Sequence, residues 1–203
     1  MKNETIKSQP LFRNQTLEKL THTNSKVAIG IYVLMSLTAL VYGIYATAIT
    51  FWQAFLLFNL GRLTFTLVEY VLHRYVYHSG EYDKPISWQF KVHGVHHKHP
   101  NVKDQLAMPI PIALVILILF FILFTFMMGQ ISLFFFSGFV IGYSFYLTMH
   151  YLIHVRKAPK NYFRWFWRHH HLHHRFDDIA FGLSSRIWDR VFRTMPPKRL
   201  KEA

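Results

Sequence analysis

Long apolar runs alternate along this chain with short polar stretches, and the apolar runs come in pairs. The first extends from Val27 to about Ile49 and is followed, after Thr50, by a second from Phe51 to about Leu72. Roughly Pro111 to Met128 and Ile131 to Leu152 repeat the plan, joined at Gly129 and Gln130. At about 1.5 Å of rise per residue, each run is long enough to cross a hydrocarbon core of roughly 30 Å, and the connections are short enough for hairpins. Pro109 and Pro111 sit where a helix begins, the place at which proline's missing N–H costs least. Gly138 and Gly142 form a GxxxG spacing that lets another helix approach closely. The pattern predicts an all-α, polytopic membrane protein of four transmembrane helices in two hairpins.

The polar stretches set the domain organisation. Residues 1–26 hold Lys2, Lys7, Arg13, Lys19 and Lys26 with a few apolar residues, Leu11, Phe12, Leu17 and Leu20, which suits a short helix on the membrane surface or a frayed tail. A cleaved signal peptide is not expected, because the first apolar run begins only at Val27 and is too long for one. Residues 27–203 then form one membrane-embedded domain.

Composition agrees with a membrane protein. Of 203 residues, 52% are apolar and 18% aromatic, more than an ordinary soluble fold carries. A formal charge of +13 raises nucleic acid as a partner, but nucleic-acid domains do not also carry long uncharged runs of Phe, Leu and Ile, so the basic surplus is assigned to anionic lipid. All but one of the 23 Lys and Arg residues lie in residues 1–26, in the 73–105 loop or after Val155, and neither hairpin tip has any. By the positive-inside rule both termini and the polar loops face the cytoplasm. The exception is Arg62, about halfway along the second run near Asn59; a charge at that depth is expected to face the bundle interior or a cavity, as a structural partner or in a substrate channel.

The candidate chemistry is in the histidines. Ten of the fourteen fall into four spaced sets: His73/His78, His93/His96/His97, His150/His154 and His170/His173/His174. Residues three or four apart share a helix face, so His150/His154, His93/His97 and His170/His174 can each aim two imidazoles at one point. His96 and His173 lie one position off that face and suit a second metal, while His73 and His78 fit a helix that is ending. One ion takes about four to six ligands, so ten convergent imidazoles imply two ions. With no cysteine, every ligand must be nitrogen or oxygen. A histidine-rich buffering tract would be contiguous, whereas these sets are dispersed. His22 and His99 read as surface or hydrogen-bonding residues, and His169 and His171 as outer or solvated members of the last set. Glu69, one turn before His73, is a candidate to orient an imidazole; Asp104, Asp177 and Asp178 are candidates beside other sets, with surface ion pairs as the plainer reading. Imidazole alone does not choose among Zn, Cu, Fe and Ni, but placement at a lipid boundary favours redox chemistry over a zinc hydrolase.

Taken together, EYVLHRYVYH, KVHGVHHKHP, MHYLIH, HHHLHH and FGLSSRIWDRVFRT resemble the fatty acid hydroxylase/sterol desaturase superfamily, most closely its fatty acid 2-hydroxylase branch, over about Thr66 to Thr194. The resemblance implies a membrane di-iron enzyme, with zinc possible in isolated protein, that uses O2 and two electrons to hydroxylate an acyl chain, the ten set histidines being the ligands. It implies a lipid substrate and, since residues 1–26 are too short for a fused b-type cytochrome, a separate electron donor: a b-type cytochrome, ferredoxin or reductase. No nucleic-acid partner is expected. A metal site near the membrane boundary favours carbon 2 of the acyl chain. Sterol or carotenoid oxidation on the same scaffold is the alternative, and a non-enzymatic metal-binding membrane protein, needing polar ligands along the spans, is a third reading. In the tail, Trp165 and Trp167 suit an interfacial belt or packing on the site, and Asp189 is expected to pair with Arg190 or Arg193.

Overall fold

In the computed structural model, residues 10–197 and Leu200 are described; Lys2 and Lys7 lie outside them. The described residues are helical, with no strand. A short helix α1, Gln15–Thr21, precedes α2, Ser25–Ala46, which Asn24 caps by accepting from Lys26 and Val27 N–H. Helix α3, Phe51–Val71, starts at a reciprocal Thr50/Gln53 capping box and runs on as a π-helical turn, Leu72–Tyr77. A second π turn, Phe90–Gly94, leads into α4, Val95–Lys98. Helices α5, Ile110–Met128, and α6, Ser132–Val155, are followed by α7, Arg164–Arg175, and α8, Ile187–Val191.

Three helical stretches are long and apolar enough to cross a membrane: Ser25–Ala46, Phe51–Tyr77 and Lys103–Val155. The last, 53 residues, breaks at Gly129, whose φ of +63° turns the chain, and α5 folds back along α6. Ring pairs Phe124–Phe135, Phe121–Phe136 and Phe120–Phe139, with centroids 4.8, 5.0 and 4.8 Å apart, mark the antiparallel contact. Large apolar side chains remain exposed on these helices, among them Phe126 at 88% and Trp52 at 73%. Such a surface is stable against lipid, and the molecule is a membrane protein.

Helix α6 is the axis of the bundle. Although four residues join α2 to α3, each packs chiefly along α6, which refines the expectation of two separate hairpins. Ser36 and Ser137 hydroxyls donate reciprocally to each other's carbonyls at 2.9 and 2.8 Å, tying α2 to α6. Between α3 and α6 the backbones touch: a Cβ on Gly61 would lie 1.9 Å from the Phe135 carbonyl oxygen, and one on Gly138 would lie 1.8 Å from that of Phe58. Gly142, the second glycine of the GxxxG spacing, packs on Phe65 of α3. Without a hydrophobic driving force between helices in lipid, such close packing and hydrogen bonds hold the bundle together.

Candidate metal centre

The ends of α3 and α6, helices α4 and α7, and the chain after α7 converge at one end of the bundle. The five-residue spacing of His73 and His78 is the i, i+5 period of the π turn that extends α3, where His78 N–H donates to the His73 carbonyl at 3.2 Å. Instead of ending, the helix widens, and both rings face the same space with centroids 5.1 Å apart. The second π turn does the same for His93, and it can form only with glycine at 94, where a Cβ would lie 2.1 Å from the Tyr82 carbonyl oxygen.

The ten imidazoles collect in two groups of five, each with ligand atoms within 4.8 Å of one another: His73, His78, His93, His97 and His173, and His96, His150, His154, His170 and His174. The HxxHH sets therefore split. His93 and His97 enter the first group and His96 the second, whereas His170 and His174 enter the second and His173 crosses into the first. The expectation that His96 and His173 share a second site is thus corrected: the two helices α4 and α7 meet face to face, so the off-face residue of each reaches the other's pair.

The geometry fits a cation in each group. Ring N–H groups of His73, His173 and His150 donate from Nδ1 to the carbonyls of Phe181, Ile179 and Leu106 at 2.6, 3.0 and 3.0 Å, leaving each Nε2 a bare lone pair in the neutral ring. His97 Nδ1 faces Asp177 at 3.4 Å, which selects the same tautomer. His97 and His173 Nε2 are nonetheless 3.2 Å apart, two lone pairs directed at one space, and His93 Nε2 lies 3.0 Å from both His73 and His97 Nε2 although it has at most one proton to give. The second group repeats this, with His96 Nε2 2.8 Å from His150 and 3.1 Å from His174. Several bare nitrogens directed at one space in each group are a donor set that suits a metal ion.

Protonation cannot relieve the crowding. Burial, reinforced by neighbouring imidazoles, lowers His78 from 6.5 to about 2 and holds His93, His96, His170, His173 and His174 far below the ordinary histidine value. The imidazoles of both groups are therefore neutral, the form that suits a metal ion.

The outer residues fall differently from expectation. Glu69 hydrogen-bonds backbone and serine rather than an imidazole: its carboxylate accepts from Leu183 N–H at 2.7 Å, Ser184 N–H at 2.9 Å and the Ser184 hydroxyl, and so holds the 181–184 segment whose Phe181 carbonyl orients His73. Asp104 pairs with His22 at 2.5 Å, away from both groups, and Glu18 flanks the same ring at 3.2 Å. Only Asp177 meets a set histidine, His97, whose ring hydrogen bond holds the Asp177 carboxyl below its usual range. His169 is buried and bonds Asp189 at 2.9 Å, and His171 is exposed. Asp189 pairs with neither Arg190 nor Arg193: fully buried, it accepts from Phe181 and Gly182 N–H at 2.9 and 3.0 Å and from Thr194. Trp167 is buried and donates to the Arg156 carbonyl at 2.9 Å, while Trp165 lies under the Arg186 guanidinium. Asn59 bonds only its own helix, at Phe55, and Arg62 is exposed; both face a groove on the outside of the bundle beside Ser185. Azimuth, which a helix's hydrophobicity does not fix when all sides are apolar, decides this.

A different cavity reaches the histidines. Its walls include Phe65, Leu72, Tyr77, Tyr143 and Tyr146 together with His73, His93, His96 and His150. A second cavity shares Phe65, Leu72, Tyr77 and Tyr143 and continues between α3, α5 and α6 to Phe120 and Phe139. From Ala113 to Phe120 that is about 10 Å along α5.

A fatty acid hydroxylase family profile matches residues 58–194, which span all ten histidines and the Asp189 brace. The chain belongs to the fatty acid hydroxylase family. It is 38% identical to the ceramide very long chain fatty acid hydroxylase scs7 of Schizosaccharomyces pombe, over 94% of this chain and 56% of that protein. Against the fatty acid 2-hydroxylase of Mus musculus identity is 34%, over 70% of this chain and 40% of that protein, and against the dihydroceramide fatty acyl 2-hydroxylase FAH2 of Arabidopsis thaliana it is 34%, over 73% and 64%. The chain thus spans about half the length of the curated relatives it matches. A solved structure of full-length scs7p, in which only the hydroxylase domain is visible, superposes with a TM-score of 0.81 at 28% identity, covering 92% of this chain and 71% of that one. The family is metal-dependent, and the two histidine groups suit metal in this member.

Proposed function

We propose that the protein is an O2-dependent di-iron hydroxylase acting at carbon 2 of a lipid acyl chain. The observation that carries this reading is the juxtaposition of two five-histidine groups with an apolar cavity that leads from them into the bundle. His73, His78, His93, His97 and His173 would hold one iron, and His96, His150, His154, His170 and His174 the other; zinc can occupy the same nitrogens in isolated protein. The relatives' names, fatty acid 2-hydroxylase and dihydroceramide fatty acyl 2-hydroxylase, supply the substrate class.

Iron held there would supply O2 activation and the oxidation of the C–H bond. The balance is one C–H bond, O2, two electrons and two protons giving a hydroxylated carbon and water. The protein's own residues do the rest: Phe65, Leu72 and the tyrosine walls hold the chain and exclude water, and the Phe181, Ile179 and Leu106 carbonyls fix the imidazoles. Four membrane crossings, α2, α3, α5 and α6, with both ends and the histidines on the cytoplasmic side, follow from the absence of Lys and Arg at Thr47–Thr50 and Gly129–Ile131. A chain whose polar end stays at that surface presents its first carbons to the metals. Residues 27–203 act as one catalytic unit with 1–26 at its surface. Electrons come from a redox donor, and the exposed Lys157, Arg164, Arg168 and Arg175 around α7 suit an acidic one.

The test is expression in a host that lacks 2-hydroxy lipids, followed by mass spectrometry of released fatty acids. The expected product is a 2-hydroxy acyl chain that disappears without O2. Hydroxylation only at mid-chain or methyl-end carbons, or of sterol or carotenoid alone, overturns the reading.

A further inference from the structure

We propose that the groove on the outside of α3 and α6 binds an anionic phospholipid from the leaflet on the histidine side of the membrane, its phosphate held by Arg62. This groove and the histidine cavity share no lining residue, so the site is a second one.

Arg62 lies about 16 Å along α3 from Phe51, within a stretch apolar enough to cross a membrane. No carboxylate lines the groove, and among the described residues Arg62 enters no ion pair and no hydrogen bond. Its polar neighbours on α3 are engaged elsewhere. The Asn59 amide donates to the Phe55 carbonyl at 2.8 Å, and the Thr66 hydroxyl donates to the Leu63 carbonyl at 2.7 Å while accepting from Trp188 Nε1 at 2.9 Å. A guanidinium stays charged at any depth, and one without a counter-charge inside a membrane is costly. The protein leaves that charge for a ligand.

The Trp188 bond sets the level at which the ligand's head lies. It brings the segment from Ser184 to Trp188, which belongs to the histidine end, down to Thr66, one helical turn from Arg62. A long arginine side chain extends along its helix to the membrane interface, where phosphates are found. Towards the other end the groove, about 480 Å³ in volume, is walled by Phe58, Leu63, Ile141 and Phe145, an apolar track for an acyl chain.

An anionic head group fits the rim better than a zwitterionic one. The Ser185 hydroxyl accepts from Ile187 N–H at 3.2 Å and retains its own proton to donate. Arg186, between the groove residues Ser185 and Ile187, lies 4.3 Å from the Trp165 ring, which stacks on Phe166 and so meets Phe145 of the groove. A quaternary amine beside the phosphate would face this second guanidinium. Arginine also matches phosphate oxygens with paired N–H groups. Ser184 donates from N–H and hydroxyl to Glu69, so a lipid resting on 184–187 steadies the segment whose Phe181 carbonyl orients His73.

The experiment uses the metal-loaded protein in neutral detergent, with phosphatidylglycerol, phosphatidylcholine and the free fatty acid of the same chain as probes and native mass spectrometry to count bound lipid. Wild type is expected to bind one phosphatidylglycerol at least about ten-fold more tightly than phosphatidylcholine. Arg62→Gln should bring the two within about two-fold at unchanged metal content, Arg62→Lys should keep part of the preference, and Lys160→Gln, an exposed charge that does not line the groove, should keep all of it. Phosphatidylglycerol should slow hydrogen exchange over residues 183–187 in wild type and not in Arg62→Gln. If the glutamine variant loses metal or fails to fold, Ile141→Trp, which fills the groove, takes its place and should abolish the bound lipid. Equal binding of the two phospholipids by wild type, or a preference that survives both Arg62→Gln and Ile141→Trp, overturns the proposal and leaves Arg62 reaching into any head group. Tighter binding of the free fatty acid than of phosphatidylglycerol overturns it in favour of a carboxylate ligand.

Discussion

His73 Nδ1 lies 2.6 Å from the carbonyl oxygen of Phe181, a residue 108 positions later in the chain, and that contact fixes which nitrogen faces the metal space. Two residues before it, the Ile179 carbonyl does the same for His173. Both carbonyls can turn inward because Ala180 between them takes the left-handed conformation, φ +61°, held by its N–H bond to the Thr194 carbonyl at 2.9 Å. An L-residue there is strained by about 1–2 kcal/mol. Ala180→Gly should therefore raise stability by about 1 kcal/mol and keep both metals, whereas Ala180→Val should destabilise and lower metal content. Thermal unfolding in detergent with metal analysis of the same samples checks both; a neutral valine variant would refute the strain.

Asp189 supports the same segment from beneath. It satisfies two buried backbone N–H groups, the Thr194 hydroxyl and His169 at once. Asp189→Ala leaves those donors unpaired, at a cost of about 2–5 kcal/mol, and should release the Phe181 carbonyl from His73. Metal affinity should fall although Asp189 is not a ligand. Arg190→Ala and Arg193→Ala, which remove the partners expected from sequence, should leave metal binding intact.

The α3–α6 contact makes a sharper contrast between glycines. Gly138→Ala places a methyl group 1.8 Å from the Phe58 carbonyl oxygen, so the two backbones must part and stability should fall by more than about 1 kcal/mol. At Gly30 of α2 nothing lies within 4 Å of an added Cβ, and alanine there should be neutral or stabilising by up to about 1 kcal/mol. Unfolding of the two variants side by side in the same detergent measures the difference.

What the sequence made legible, and what it did not, divides along physical lines. Apolar runs and histidine spacing are local properties, and they specified the helices and the ten imidazoles. How the imidazoles divide depends on α4 and α7 crossing, which no spacing encodes. The five-residue interval His73–His78 did carry a signal, the period of a π turn, where a fraying helix end was expected. Asp189 and Glu69 bind backbone N–H groups, which have no residue identity to read, and so both were assigned to side-chain partners. Arg62 shows that depth along a span can be read where direction cannot.

Acid should act on the histidine end of the bundle through its buried imidazoles. For a histidine whose pKa is lowered on folding, as His78 is from 6.5 to about 2, the unfolded chain takes up protons below pH 6.5 that the folded chain refuses. Stability is therefore full above about 6.5 and is lost progressively as pH falls toward 2. Protons also compete with metal for the same nitrogens, so the metal-loaded protein should resist to lower pH than the metal-free one. Near-UV circular dichroism and metal content followed together from pH 7.5 to about 4 test this; a metal-free protein indifferent to pH over that range would contradict burial of neutral imidazoles.

The crossing of the HxxHH sets gives a prediction that grouping by sequence set does not. If His173 joins His93 and His97, while His96 joins His170 and His174, pairs of substitutions should divide by spatial group. His93→Ala with His173→Ala removes two donors from one group and leaves the other complete, so one ion per chain should remain. His93→Ala with His96→Ala, close neighbours in one set, removes one donor from each group and should weaken both sites together. Among single variants, His97→Ala and His174→Ala should each abolish product, whereas His22→Ala and His99→Ala, outside both groups, should leave metal and most activity in place. Stoichiometry by elemental analysis after dialysis against a graded chelator reads the outcome directly. Should the His93/His173 pair empty both sites while the His93/His96 pair spares one, the sets act as sequence units and the crossing is wrong.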